Sequence, residues 1–334
     1  MIVTRKGILA LLNKIRGGFK SMNYIGVDLG GTNSVVGLVN EEGVIIDSIE
    51  MPTHKERGVE SIFDDIIMMC QQIIDRHHVD ASELKGIGIG IPGTIDSKNK
   101  VIIYSNNIKI SQFNVKAYMS KHFDRPIEIA NDADCAALGE AIAGAGRDCD
   151  SLVVFTLGTG VGGGIIIDKK IFNGSFPGGA EIGHQVIVQG GKMCSCGNEG
   201  CLEAYASATG LINLAKEQAS LHPESLLSQM MEENGGVMNA KIPFDAAGAG
   251  DNIGKAVIDE YIGYLATGIN NIVNIFKPEK VLIGGGVSRQ KDNLIIPLTQ
   301  KVRGQVFGGE LLTRIEVAQL GNDAGLIGAA MLNR

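Results

Sequence analysis

With 334 residues, 44% of them hydrophobic and 20% charged, the chain has the composition of a globular protein, and its length calls for two packed domains rather than one core. A net charge of −7 argues against a broad nucleic-acid surface, and no apolar run reaches the ~18–20 residues that cross a bilayer. The 46 glycines are clustered rather than periodic, which excludes collagen and points to tight turns where backbone closely approaches something.

Residues 1–22 read as a basic extension, poorly ordered or a short helix. Arg5, Lys6, Lys14, Arg16 and Lys20 occur there without an acidic residue, and Ile8, Leu11, Leu12 and Ile15 share a helical face. A membrane-surface helix is the competing reading; an upstream extension is preferred because the globular pattern begins abruptly at Tyr24. From there YIGVD is a strand, LGGTN a glycine turn, VVGLV a second strand and VIIDSI a third. Residues 59–78 are expected to be helical, and GIGIGIPG (86–93) a strand running into a Pro-Gly turn. ANDADCAALGEAIAG (130–144) reads as a helix capped by Asn131 or Asp132. LVVFT (151–155) and III (165–167) are strands flanking LGTGVGGG, and VLIGGGVS (281–288) is a buried strand ending in three glycines and Ser288. The stretch 218–254, with mixed charge and several glycines, is expected to be the most variable and mobile part.

The chain repeats itself. Leu29 and Gly30 match Leu157 and Gly158, each pair leaving one apolar strand and opening a glycine hairpin into another. Such a duplication suggests two related α/β halves with a cleft between them. Paired glycine hairpins offer bare N–H groups to an anion, and a polyphosphate suits them best. The competing dinucleotide fingerprint, GTGVGG at 158–163 with Glu181 as its ribose acid, fails because GIIID continues as a strand where a helix must open. A Walker P-loop sequence is absent from both halves.

Three cysteines fall in CSCGNEGC (194–201), spaced C-x-C-x4-C, with His184 ten residues upstream of Cys194. Cys70, Cys135 and Cys149 are scattered singly, no secretory leader is expected, and this usage fits a reducing cytoplasm. Cysteines one residue apart form a poor disulfide but share one metal easily. His184, Cys194, Cys196 and Cys201 therefore complete a closed tetrahedral zinc shell, structural because no position stays open for substrate. Metal on one nitrogen of His184 would fix where the other points. Glu181 and Glu203 flank this knot and with His184 would suit a polyol, although by spacing alone a solvated loop charge is an equal reading for either glutamate.

Together, DLGGTN (28–33), NDADCAALGE (131–140), LGTGVGGG (157–164), GGAEIGH (178–184), CSCGNEGCLE (194–203), GGGVS (284–288) and GNDAGLIGAA (321–330) resemble the ROK family of repressors, open reading frames and kinases. Within it the resemblance is to the bacterial glucokinase type, over 23–334. It implies an actin-like (ribonuclease H-like) ATPase fold: two duplicated α/β lobes with a cleft between them. Residues 23–130 would form the small lobe, completed by 315–334, and 131–314 the large lobe with the zinc loop at 184–201. It also implies ATP with Mg²⁺, and transfer of the γ-phosphate to the 6-hydroxyl of a hexose, foremost glucose, with Asp132 as general base. Asn106, Asn131, Asp132, Glu181, His184 and Glu203 would bind sugar. Asp28 would lie near the Mg²⁺-phosphate region, with Gly30, Gly31, Thr32, Gly158, Thr159 and Gly160 around the phosphates and Gly284, Gly285 and Gly286 near adenosine. A homodimer or homotetramer in the cytoplasm is implied, with no nucleic-acid or membrane partner.

The chain departs from the family pattern at Asn33 and Asp134, which bears on fine specificity rather than on reaction type. Elementary chemistry agrees with the transfer, because a sugar hydroxyl needs a carboxylate to take its proton, and a helix N-terminus would keep Asp132 ionised. Taken alone, Asp132 would be read as a simple N-cap. The alternatives are a kinase of another hexose or N-acetylhexosamine (N-acetylmannosamine, N-acetylglucosamine, fructose, allose), a sugar-sensing regulator of the same family, and a non-catalytic zinc-stabilised binding module. The regulator would require a DNA-binding domain that the 21 residues before Met22 are too few to form.

Overall fold

The structure, a computed structural model, describes residues 22–80 and 82–334, so the expected extension lies, Met22 aside, outside the described residues. In chain order β1 (Asn23–Leu29), β2 (Asn33–Asn40), β3 (Ile45–Pro52), α1 (Val59–His77) and β4 (Leu84–Ile91) come first. A three-stranded ribbon follows, β5 (Thr94–Asp96), β6 (Val101–Ser105) and β7 (Ile110–Asn114), then α2 (Val115–Met119), β8 (Ile127–Asn131) and α3 (Asp132–Ile142). The second half holds β9 (Leu152–Leu157), β10 (Val161–Ile167) and β11 (Lys170–Ile171). After them run α4 (Glu203–Ala206), α5 (Ala208–Leu221), α6 (Leu226–Glu233), α7 (Ile242–Gly248) and α8 (Asn252–Phe276). The chain closes with β12 (Lys280–Gly284), α9 (Asp292–Arg303), β13 (Arg314–Val317) and α10 (Asp323–Met331).

The duplication read in the sequence is realised strand for strand. One sheet has the order β3-β2-β1-β4-β8, the other β11-β10-β9-β12-β13. In each, the first hairpins are antiparallel and the last two pairings parallel. Central β1 is buried at nearly every residue, whereas β3, at the sheet edge, alternates between half-buried and exposed side chains. Helix α1 covers the first sheet with a stripe formed by Ile62, Phe63, Ile66, Met69, Cys70 and Ile73.

Between the two sheets lie α3 and α10. Their apolar cluster draws Tyr24 and Val39 from one sheet and Val154, Ile166 and Leu282 from the other. Contact between the helices needs glycine: a β-carbon at Gly328 would lie 1.7 Å from Cys135 O, and one at Gly139 would lie 2.2 Å from Ala324 O. The same closeness carries α10 onto β1, where a β-carbon at Gly26 would sit 2.2 Å from Leu326 O.

The stretch 218–254, expected to be mobile, instead contains α6, α7 and the ends of α5 and α8. It sends Leu227, Met238, Ile242, Phe244 and Ala246 into the second core, and Ser225 and Asp251 cap α6 and α8. Its polar composition belongs to caps and turns around short helices. No described helix is long and apolar enough to cross a membrane.

Candidate active site

Strand β8 ends at Asn131, whose side chain caps α3. Its Oδ1 accepts from Ala133 N (2.8 Å) and Asp134 N (3.4 Å), and its Nδ2 donates to Gly93 O (3.1 Å). Asn131 is thus the cap and Asp132 the first helical residue, with Asp132 Oδ1 also accepting from Ala133 N at 3.0 Å. Asp132 faces a cleft of about 420 Å³. The helix terminus does lower its proton affinity, but burial weighs more and pushes the carboxyl above its ordinary range, contrary to the balance expected from the helix alone.

Asn131, Glu181, His184, Glu203, Gly158 and Gly160 share this cleft. Asn106 does not: it is exposed, its Oδ1 accepting from Tyr104 Oη (3.2 Å) and Lys109 Nζ (3.0 Å). Its neighbour Asn107 lines the cleft instead. Asp134 also faces the cleft, and burial, then the charges of Glu181 and Asp132, push its carboxyl up to about 7. Glu181 is raised by burial too, with His184 opposing and Asp132 and Glu203 adding.

The ligand atoms of His184, Cys194, Cys196 and Cys201 lie within 4.8 Å of one another. Cys196 Sγ and Cys201 Sγ are 3.7 Å apart, too far for a disulfide of ~2.05 Å. Two thiolates each ~2.3 Å from a tetrahedral zinc would stand ~3.8 Å apart, so the donor set and its spacing fit that ion. His184 Nδ1 lies 3.6 Å from Cys194 Sγ, which makes it the nitrogen facing the cysteines while the ring still borders the cleft. Gly200 permits the loop, with φ 83° and a position where a β-carbon would lie 1.7 Å from Val188 O.

Glu203 opens α4 and joins this loop to the second glycine hairpin. Its Oε1 accepts from Ser195 Oγ (2.8 Å) and Cys194 Sγ (3.5 Å), and its Oε2 from Val161 N (3.0 Å). A β-carbon at Gly160 would come within 2.3 Å of Glu203 Oε2. A solvated loop charge does not describe this residue.

Not all hairpin N–H groups are bare. Gly30 N donates to Asn33 O (2.9 Å) and Gly158 N to Gly160 O (3.0 Å), each closing its own turn. The N–H groups of Gly31, Thr32, Thr159 and Gly160 have no partner among the described residues. The first hairpin does not line the cleft itself but backs onto it, since a β-carbon at Gly31 would sit 3.5 Å from Asn107 Cβ. Asp28, at the end of β1, is held against α10 beside Gly325, and burial, then the charge of Asp132, pushes it up to about 6.

Gly284, Gly285 and Gly286 border a second chamber of about 320 Å³, and Thr156 and Gly285 line both it and the cleft. Sequence reasoning missed Asn107, Asp134, Thr156, Ser288, Arg289 and Asn322 as lining residues of these spaces. Arg289 could have been found, as it directly follows GGGVS. Thr156 occupies in β9 the place of Asp28 in β1, which the internal repeat also shows. Buried Glu140 borders the chamber and bridges α3 to the approach to α10, accepting from Leu320 N (2.7 Å) and Ala145 N (2.9 Å).

The family profile described as ROK family matches residues 24–334. A glucokinase of Halalkalibacterium halodurans is 40% identical over 316 residues, covering 92% of this chain and 94% of the relative. A glucokinase of Thermotoga maritima is 37% identical, covering 93% and 97%. Among solved structures, a ROK family glucokinase from Streptomyces griseus in complex with glucose and AMPPNP superposes with TM-score 0.74 at 34% identity, covering 93% of this chain and 98% of that one.

Proposed function

This chain belongs to the ROK family, and we propose that it is an ATP-dependent glucose kinase, with the transfer occurring in the cleft at the N-terminus of α3. The observation that carries this reading is the adjacency of two spaces: a carboxylate-walled cleft and a glycine-lined chamber share Thr156 and Gly285 in their walls. A hexose in the first and ATP in the second would bring a hydroxyl and the terminal phosphate together there. Similarity to glucokinases over nearly the whole chain supports glucose as the hexose.

In this mechanism Asp132 accepts the proton of the 6-hydroxyl as that oxygen attacks the γ-phosphorus and the bond to the ADP oxygen breaks. A carboxylate with raised proton affinity is the better acceptor at neutral pH. The unpartnered N–H groups of Thr159 and Gly160 are placed to receive phosphate oxygens, in the way that turn amides receive anions. Asn131, Glu181 and His184 would exchange hydrogen bonds with ring hydroxyls, and Asn107 takes the part first expected of Asn106. Glu203 holds the hairpin to the cysteine loop, so sugar and phosphate sites share one support. Asp28, half-buried and without a cationic partner among the described residues, would hold the Mg²⁺ that accompanies ATP, which supplies neutralisation of phosphate charge.

Zinc on His184, Cys194, Cys196 and Cys201 would supply a rigid link and fix the His184 ring. The two sheets, with α3 and α10 between them, would act as lobes that close over both substrates. A homodimer or homotetramer in the cytoplasm follows from the family resemblance. The test is a coupled ADP assay across hexoses and N-acetylhexosamines: glucose should give the highest kcat/KM, and a higher value for an N-acetylated sugar would reject glucose.

A further inference from the structure

The cleft is lined by Asp132, Asp134, Glu181 and Glu203 and by no lysine or arginine. Three of these acids have work. Asp132 is the proposed base, Glu181 a proposed hydroxyl reader, and Glu203 is engaged at both oxygens, by Val161 N and Ser195 Oγ.

Asp134 has none. Its side chain is only 5% exposed, yet its carboxylate accepts no hydrogen bond from any described residue. Its own backbone N–H is taken by Asn131, which leaves the side chain out of the helix cap. What faces it is Glu181 and Asp132, like charges that raise its proton affinity further. A buried carboxyl without donor or counter-charge is costly in the free protein, and a bound molecule could supply both. A ring hydroxyl brings a donor alone; an ammonium group brings a donor and the missing positive charge.

We infer that Asp134 equips the cleft to accept a cationic amino-hexose, reading an ammonium group carried on the ring away from the phosphorylated hydroxyl. The inference rests on the hexose-kinase reading and extends it to a second substrate class. The transfer step is unchanged: the 6-oxygen loses its proton to Asp132, gains the phosphoryl group, and ADP departs, while the ammonium takes no part.

The test is kcat/KM for glucose, glucosamine and N-acetylglucosamine with the native protein and with Asp134→Asn, which keeps side-chain size and removes charge. The native protein should turn over glucosamine within about tenfold of glucose, and N-acetylglucosamine, which lacks the charge, at least tenfold less well than glucosamine. Asp134→Asn should lower the glucosamine-to-glucose ratio at least ~10-fold, a change that a purely structural defect, acting on both sugars, would not produce. If the variant does not fold, the native ratios alone decide. Glucose turnover with glucosamine more than a hundredfold poorer, or an unchanged ratio in Asp134→Asn, would overturn the inference and leave the kinase reading standing. Absence of turnover with every hexose would overturn both.

Discussion

Asp134 should reveal itself in stability before any substrate is added. Its carboxyl is raised from an ordinary 3.8 to about 7, chiefly by burial, a difference worth roughly 4 kcal/mol at ~1.36 kcal/mol per pH unit. The sign follows from proton counting. Between pH 4 and 7 the unfolded chain has released this proton and the native chain retains it. Native stability is therefore full below pH 4 and falls as pH rises through 7. Asp28, raised to about 6, acts in the same direction over a narrower range. Asp134→Asn removes the largest share of this slope. Thermal unfolding midpoints of native protein and variant, measured without sugar or nucleotide from pH 5 to 8, should lie closest at pH 5 and draw apart as pH rises. Between pH 5 and pH 8 the variant should gain about 3 kcal/mol on the native protein, roughly two pH units at ~1.36 kcal/mol each, several degrees in Tm. Comparison at each pH cancels any change common to both proteins, including loss of metal from the cysteines. A difference that stays flat from pH 5 to 8 would refute the claim that Asp134 is held neutral by burial.

Asp132→Asn should lower kcat by about 10²–10⁴-fold with little change in sugar affinity, as read by steady-state kinetics and sugar titration; a kcat near normal would remove Asp132 as the base. Cys196→Ser should release zinc, seen by metal analysis of purified protein, and raise the KM for sugar through Glu203 and His184. Native protein purified without bound metal would remove that premise. Gly328→Ala places a β-carbon 1.7 Å from Cys135 O, so it should destabilise the molecule by about 1–3 kcal/mol or more, detectable as a lowered Tm. An unchanged Tm would mean that α3 and α10 part easily.

Much of the fold was legible because its signals are local. The apolar runs at Tyr24 and Leu152 and the glycine turns behind them became equivalent strands of two sheets with the same order. The helix expected over 130–144 is α3 at Asp132–Ile142. The ribbon β5–β7 escaped notice because its strands are of five residues or fewer and its apolar alternation is broken by polar turns. Helices α6 and α7 hid for a similar reason, being too short for helical periodicity to outweigh their polar caps.

Within the site the division follows the range of the forces. The cysteine spacing, the position of Asp132 beside a helix start and the paired hairpins are properties of a few consecutive residues, and reading them required only backbone geometry and side-chain chemistry. Whether Asn106 or Asn107 enters the cleft depends on how one turn lies against Gly31, some 75 residues away. Glu203 became a bracket rather than a loose charge because Val161 N and Ser195 Oγ arrive from separate segments. The proton affinities of Asp28, Asp132 and Asp134 were decided by tertiary structure alone. Desolvation is set by whatever packs around a carboxyl, and here those neighbours come from distant parts of the chain, beyond the reach of any local motif.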